Sequence, residues 1–341
     1  MAKTVDLIAE AARGGAAIIA FPEVWIPGSP HFLWLGPVAG QVPFVGRCHA
    51  NALTVDGPEP TAIRRAARSH GITVALGYSE KSYGSLHISR TVIASDGSVL
   101  LHRRKLKPTH VERALFGEVT AATSRSSTPP GAARRSPPRR ARPAAQRVRP
   151  VRAGRGTPHR LPALLRPRRD FAHQLSAEAN TAATQVYAIE GGSFVLMATQ
   201  VISPAGIDLF ATTDEQRRLL SAGGGCSRIH RPDSRMITKE LDEGEEGLVH
   251  AGIDLDAIVI AKNAYDPAGH HARPDATYLV HHREPRRAVV PGDRGNLLLA
   301  GGFGRRVRCR YGRSARKRQR TGRAGCPQAL RSDPGPGAAA A

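Results

Sequence analysis

The sequence has no run of about 18 apolar residues, and it does not begin with a basic stretch followed by an apolar one. A membrane-spanning helix requires the first pattern, and a secretory signal peptide requires the second. We therefore expect no membrane partner and a cytoplasmic location.

Cysteine is scarce and widely spaced. The four cysteines are Cys48, Cys226, Cys309 and Cys326, and none forms a pair separated by two residues. This spacing predicts neither a disulfide framework nor a zinc site. We expect free thiols, with no metal and no cofactor.

Acidic residues, lysine and aromatic residues are all missing from 119–169, which contains 14 arginines. Residues 294–341 contain 11 arginines, one lysine and one acidic residue. The formal net charge of +22 would normally indicate nucleic acid or an anionic surface as the partner. Without these two segments the chain has 24 basic and 27 acidic residues. The excess of positive charge therefore belongs to the two segments and not to the rest of the chain.

Outside those segments the sequence alternates helical and strand patterns. Apolar residues at helical spacing predict a helix over 4–13, and a continuous apolar run predicts a buried strand over 16–21. The same order recurs, with a helix over 63–70 that ends at Gly71 and a strand over 72–77. This alternation indicates an α/β protein.

A β-hairpin is predicted over 85–94 and 98–102, around a two-residue turn at Asp96-Gly97. The pattern is lost at Val119, where nine prolines fall within 51 residues, and it resumes at Asp170. Beyond that point we predict a helix over 174–187 and strands over 194–198, near 227–230 and over 248–253.

Glu23 is the first candidate for chemistry. It lies just beyond a buried strand, where α/β folds place ligands and catalytic groups. Its apolar neighbours Phe21, Pro22, Val24 and Trp25 would raise its pKa and suit it to general-base catalysis. An exposed glutamate at a strand end is the alternative, and this fragment alone leaves both open.

Lys105 is the second candidate, and it ends the basic run over 102–105. Taken alone, such a run is more typical of a solvated strand end. A buried lysine beside carboxylates could instead stabilise an oxyanion or a tetrahedral intermediate. Glu112, seven residues later, could orient it.

Several long motifs occur in an order that resembles one known family, the nitrilase and cyanide hydratase branch of the carbon-nitrogen hydrolases. The resemblance covers about residues 4–118 and 170–290. The stretches that carry it are 21–30, 32–36, 103–113, 180–194, 223–225, 266–270 and 273–275.

The resemblance implies an α/β fold, a four-layer α-β-β-α sandwich, and catalysis by Glu, Lys and Cys. It implies Glu23 as the general base, Lys105 as the stabiliser of the tetrahedral intermediate and Glu112 as a supporting carboxylate. The implied reaction converts a small-molecule nitrile to a carboxylic acid and ammonia, without a cofactor or metal. Hydrolysis of an amide is the nearest alternative within the superfamily. The resemblance also implies a homo-oligomer.

The nucleophilic cysteine is absent from its expected position. In the family it lies in a Cys-Trp-Glu motif, which by position falls near 136–142, and this stretch reads Ser-Pro-Pro-Arg-Arg-Ala-Arg. Cys226 and Cys48 lie elsewhere, and we interpret both as packed structural cysteines. The predicted activity is therefore impaired.

We expect one domain over 1–290, in which 119–169 is foreign and disordered, and a disordered basic tail over 291–341. Arg, Pro, Ala and Gly have GC-rich codons, so our hypothesis for 119–169 is a double frameshift. The alternative is an arginine-rich arm that binds nucleic acid through phosphates, on a scaffold without catalysis. The absence of lysine and aromatic residues makes nucleic acid the less favoured partner.

Overall fold

A computed structural model describes residues 1–119, 173–220, 222–239, 241–267, 269–272 and 275–276. The chain divides into two compact units, Met1–Arg286 and Arg287–Ala341, and the second lies wholly outside the described ranges. Nearly all of 119–169 lies outside them too. The predictions of a foreign segment, of its disorder and of a disordered tail over 291–341 therefore stay predictions.

The described residues form helices and strands in the mixed order that an α/β chain requires. The helices are α1 (Ala2–Arg13), α2 (Val42–Ala50), α3 (Pro58–His70), α4 (Ala177–Gly191), α5 (Pro204–Phe210), α6 (Asp214–Leu219) and α7 (Ala257–Ala264). The strands are β1 (Ile18–Ala20), β2 (Thr73–Ser82), β3 (Ser85–Ile93), β4 (Val99–Arg104), β5 (Val195–Met197) and β6 (Arg228–His230).

The first sheet has the strand order β1-β2-β3-β4, with β1 parallel to β2 and the later pairs antiparallel. Helices α1 and α3 pack together and cover one face of it. Ile8 of α1, Ile63 of α3 and Val74 of β2 are completely buried in the shared core. Of the apolar residues whose spacing predicts α1, Ile8 and Ala11 are buried, and Val5 and Ala12 pack against the same core while partly buried.

The predicted order of helix and strand is confirmed in this sheet. Helix α3 ends where Gly71 adopts the left-handed conformation, with φ +64, as the sequence predicts. Strand β1 is shorter than the predicted 16–21, because only Ile18–Ala20 pairs with β2.

The first sheet contains two hairpins: β2–β3 was not predicted, and the predicted hairpin, β3–β4, is confirmed apart from its turn. Strand β2 runs past Gly77 to Ser82, and Tyr83 and Gly84 both have positive φ, as a type I′ turn requires. The next loop has three residues, because the Ala94 N–H donates to the Ser98 carbonyl at 2.8 Å. The prediction of a two-residue turn at Asp96-Gly97 is therefore wrong.

A bulge compensates for the longer loop. The register shifts between Val92 and Ile93 and places Arg90 opposite Arg103. The bulge offsets the third loop residue. Arg90 and Arg103 therefore point to the same face of the sheet as they would with a two-residue turn.

The second sheet pairs β5 with β6 in antiparallel fashion, and both strands lie where they are predicted. Helix α4 contacts both strands, and it begins and ends later in the sequence than the predicted 174–187. The predicted strand over 248–253 is wrong, because this stretch pairs with no strand in the described ranges. Leu248 instead packs against the core of the first sheet.

A buried charge network supports the helix-facing side of the first sheet. Glu80 of β2 is fully buried, and its carboxylate accepts hydrogen bonds from Ser89 Oγ at 2.5 Å and from Arg104 Nε at 3.0 Å. His102 Nε2 lies 2.8 Å from the same carboxylate. Burial acts to raise the pKa of Glu80, but these partners outweigh it and hold the pKa at about 2.

We predict that Glu80→Gln lowers the free energy of unfolding by about 3 kcal/mol near neutral pH, because it removes the buried negative charge that pairs with the Arg104 guanidinium. The folded pKa lies below the ordinary value of 4.5, so this contribution is complete above pH 4.5 and disappears as the pH falls towards 2. Urea unfolding at several pH values measures the difference. Glu246→Gln is the control, because its ion pair with Lys3 is exposed and contributes about 0–1 kcal/mol. Equal losses in the two variants would contradict the prediction.

Candidate active site

Three charged side chains meet at one end of the first sheet. Strands β1 and β4 run in the same direction, so Glu23, which follows β1, and Lys105, which follows β4, emerge at the same end. Glu112 lies in the adjacent 3-10 helix His110–Ala114. The structure therefore brings together the three residues that the resemblance implies.

Lys105 bridges the two carboxylates. Its Nζ lies 3.3 Å from Glu23 Oε2, 3.1 Å from Glu112 Oε1 and 2.9 Å from Glu112 Oε2. The side chains of Lys105, Glu23 and Glu112 are only 15%, 10% and 4% exposed. The alternatives of an exposed glutamate and a solvated basic strand end are therefore wrong for these side chains.

Glu112 is fixed by the start of its own helix. Its carboxylate accepts hydrogen bonds from the Thr109 N–H at 2.6 Å and the Thr109 hydroxyl at 3.1 Å. This capping box leaves the carboxylate pointing at Lys105 with little rotational freedom. Glu112 is thus a rigid partner that holds the ammonium group.

The basic run over 102–105 is divided between the two faces of the sheet. Successive strand residues point to opposite faces, so His102 and Arg104 meet Glu80 on the helix-facing side. Arg103 and Lys105 point the other way and line a cavity with Glu23. Each half of the run faces carboxylates, which explains how four cationic or titratable residues fit in a largely buried region.

The charge states suit acid–base chemistry at neutral pH. Burial raises the pKa of Glu23 to about 7, and Glu112 adds to the rise while Lys105 opposes it. Burial acts to lower the pKa of Lys105, but the two carboxylates outweigh burial and raise it. Glu23 can therefore exchange a proton near pH 7 while Lys105 stays charged.

Gln200 holds the loop that carries Glu23 and was missed by the sequence analysis. Its side-chain amide donates to the Glu23 carbonyl at 2.8 Å, and its oxygen accepts from the Ser29 N–H at 3.1 Å. Gln200 is buried and lies about 180 residues away in sequence, beyond strand β5. No local pattern marks such a long-range bridge.

We predict that Gln200→Leu lowers the free energy of unfolding by about 2–4 kcal/mol, because it leaves two buried backbone groups without partners. A loosened loop admits water, so the pKa of Glu23 is expected to fall from about 7 towards 4.5. Carboxyl ¹³C NMR titration measures that pKa. Gln216→Leu is the matched control: Gln216 holds the Leu35 carbonyl at 2.9 Å, and its loss should leave the Glu23 titration unchanged. An unchanged Glu23 titration in Gln200→Leu would contradict the prediction.

Two cysteines, Cys48 and Cys226, lie in the described ranges, and neither forms a hydrogen bond there to Glu23, Lys105 or Glu112. Cys48 is half-buried against a cluster that includes Val24 and Ile88, and burial raises its pKa to about 11. Cys226 is buried, its N–H donates to Thr199 Oγ1 at 2.8 Å, and burial raises the pKa of its thiol. Neither environment favours a thiolate, which agrees with their interpretation as packed cysteines.

Among the described residues, no group of three or more His, Cys, Asp or Glu side chains is arranged to hold a metal ion. No helix in the same ranges is both long and apolar enough to cross a bilayer.

Comparison with known families matches the carbon-nitrogen hydrolase family model over residues 1–148 and 160–263. The matched ranges include 119–148 and 160–169, a segment in which the sequence analysis finds no resemblance to the family. A solved carbon-nitrogen hydrolase from Helicobacter pylori G27 superposes with a TM-score of 0.53 at 15% identity, over 80% of this chain and 89% of that one. This likeness supports the fold alone.

The chain is also similar to curated nitrilases. An aliphatic nitrilase from Rhodococcus rhodochrous is 41% identical over 293 residues, which cover 81% of this chain and 76% of that protein. A nitrilase from Pseudomonas syringae pv. syringae is 41% identical over 295 residues, which cover 84% and 86%. Because the family model matches well over half of the chain and the relatives share this identity across most of it, the chain belongs to the carbon-nitrogen hydrolase family, in its nitrilase branch.

Proposed function

We propose that this chain carries the acid–base framework of an enzyme that hydrolyses a nitrile to a carboxylic acid and ammonia. The observation that carries the proposal is the position of Lys105 Nζ, within 3.3 Å of Glu23 and 2.9 Å of Glu112 in a largely buried site. The Rhodococcus and Pseudomonas relatives are nitrilases by name, which supports a nitrile as the substrate.

Each charged residue has one role in this proposal. Glu23 accepts the proton of the attacking thiol and then of water, for which a pKa of about 7 is well suited. Lys105 donates hydrogen bonds to the negative charge that develops on the substrate. Glu112 keeps the ammonium group in place, as its capping-box contacts allow.

The reaction also needs a thiolate. A cysteine thiolate adds to the nitrile carbon and gives a thioimidate; water then adds and ammonia leaves, which produces a thioester. A second water hydrolyses the thioester to the acid and restores the thiol. The residues near 136–142 contain no cysteine, so we propose that this chain is impaired in the covalent step and that a double frameshift replaced the nucleophile.

Two finer features belong to the same proposal. The two sheets and their helices are arranged as the four-layer α-β-β-α sandwich that the family fold implies. The active form is a homo-oligomer, which size-exclusion chromatography with light scattering would test.

Ammonia release from aliphatic and aromatic nitriles tests the function. We expect little or no turnover by the chain as it stands and turnover by a version whose 119–169 segment is restored from the alternative reading frame. Glu23→Gln in the restored version should lower kcat about 10²–10⁴-fold. Substantial turnover by the unrestored chain would contradict the proposed impairment, and Cys→Ser substitution of each of its four cysteines would show which thiol is used. A restored chain that is folded and inactive on every nitrile would contradict the reaction.

A further inference from the structure

A cavity of about 350 Å³ lies beside the loop that follows Glu23. Residues 27–32 form one wall of it, and helices α2 and α5 supply part of the rest. The cavity shares Ser29, Pro30 and Gln200 with a much smaller cavity at the charged site. The larger cavity therefore adjoins the groups that the proposed reaction uses.

The smaller cavity limits what can lie at the charged site. It is lined by Glu23 and Glu112 and has a volume of about 10 Å³, which is the space of one water-sized group. Only the reacting end of a substrate can approach there, so the rest of the molecule needs another space. An apolar cavity of roughly 150 Å³ is large enough to bind benzene. The adjoining cavity is therefore large enough for an aromatic ring.

Three phenylalanines from different elements form the aromatic part of the larger cavity. Phe32, in the 3-10 helix His31–Trp34, stacks on Phe44 of α2 with the ring centroids 5.2 Å apart. Phe210 ends α5, and its ring lies 5.9 Å from that of Phe32 and 5.6 Å from that of Phe44. Phe32 is only 1% exposed, whereas the other two are partly exposed. Phe32 thus supports two rings that keep free surface for a ligand.

The lining of this cavity favours an uncharged ligand. Among the described residues that line it there is no carboxylate and no lysine, and Arg47, which is exposed, is its one guanidinium. Burial lowers the pKa of His31 to about 4, so this imidazole is neutral near pH 7. Aromatic rings attract one another, edge to face or offset, beyond the effect of buried area alone. A neutral aryl group therefore fits this lining better than an ion or a short alkyl group.

We propose that this cavity binds the aryl group of a nitrile whose reacting end lies beside Glu23, and that Phe44 and Phe210 select for the ring. The identity of the reacting group rests on the proposed function. Binding of the ring does not, because any small neutral arene presents the same faces and edges.

Phenylacetonitrile and propionitrile, which carry the same reacting group with and without a ring, are the probes for the full-length chain. Ligand-observed NMR near neutral pH measures the affinity of each. We expect phenylacetonitrile to bind about tenfold or more tightly than propionitrile, and Phe44→Ala to remove most of this difference. Val45→Ala is the matched control, because Val45 is the next residue of α2, is also partly buried and does not line the cavity. Equal affinity for the two nitriles, or equal losses in the two variants, would overturn the proposal.

Fluorine NMR locates the ring without any substitution that removes a side chain. In protein labelled with 4-fluorophenylalanine, phenylacetonitrile should shift the resonances of Phe44 and Phe210. Phe21 lines a different cavity beside β1, and its resonance should stay in place. A shift of Phe21 alone, or of no resonance, would contradict binding between Phe44 and Phe210.

Turnover separates this proposal from the proposed function. Ring binding at Phe44, with no ammonia release from any nitrile by the restored version, would leave the aryl cavity standing and contradict the reaction. Ammonia release by the restored version with equal kcat/KM for the two nitriles, unchanged by Phe44→Ala, would do the reverse.

Discussion

Lys105→Met is expected to lower the free energy of unfolding by about 3–5 kcal/mol at about pH 8, because it leaves two buried carboxylates without their cation. The loss should shrink near pH 5.5. The pKa of Glu23 is about 7 in the native protein and rises further without Lys105. At pH 5.5 Glu23 is therefore protonated in the variant and no longer needs a cation beside it. Urea unfolding at the two pH values measures both effects.

Lys107→Met is the matched control. Lys107 lies two residues away and pairs with Glu118 at 3.3 Å, but both side chains are more than half exposed. An exposed pair contributes about 0–1 kcal/mol, so this variant should unfold almost like the native protein. A similar loss in both variants, or a Lys105→Met loss that does not depend on pH, would show that the ammonium group does not hold the carboxylates together.

Gly77→Ala is expected to disrupt the site by a steric route. The added Cβ would lie 2.1 Å from the Pro22 carbonyl oxygen and 3.0 Å from Glu23 Cα, and neither backbone atom can rotate away. The loop must move off β2 and carry Glu23 away from Lys105. We expect a loss of more than about 3 kcal/mol, at the upper end for overpacking, and a fall in the pKa of Glu23 as water enters.

Gly46→Ala separates this steric effect from the general effect of replacing glycine. Gly46 lies in α2, and a Cβ there meets no atom within 4 Å. The substitution should be neutral or stabilise the protein by up to about 1 kcal/mol, because alanine restricts the unfolded chain. Chemical unfolding compares the two variants. A Gly77→Ala protein of native stability would mean that the loop does not approach β2 as closely as the structure shows.

The sequence motifs predict which residues form the site. Glu23, Lys105 and Glu112 were identified by resemblance, and their meeting also follows from strands β1 and β4 running in one direction. Local chemistry likewise fixed the end of α3, because the left-handed conformation at Gly71 favours glycine.

The tertiary structure decided everything that depends on distant partners. The basic run over 102–105 reads as a solvated strand end, yet Glu80 on one face and Glu23 on the other make it a buried element. The stretch over 248–253 has strand composition, but it pairs with no strand in the described ranges. Sequence by itself determined local conformation, since caps and turns depend on neighbouring residues. Burial, pKa and the bridge from Gln200 to Glu23 depend on groups up to 177 residues apart, and only folding brings those groups together.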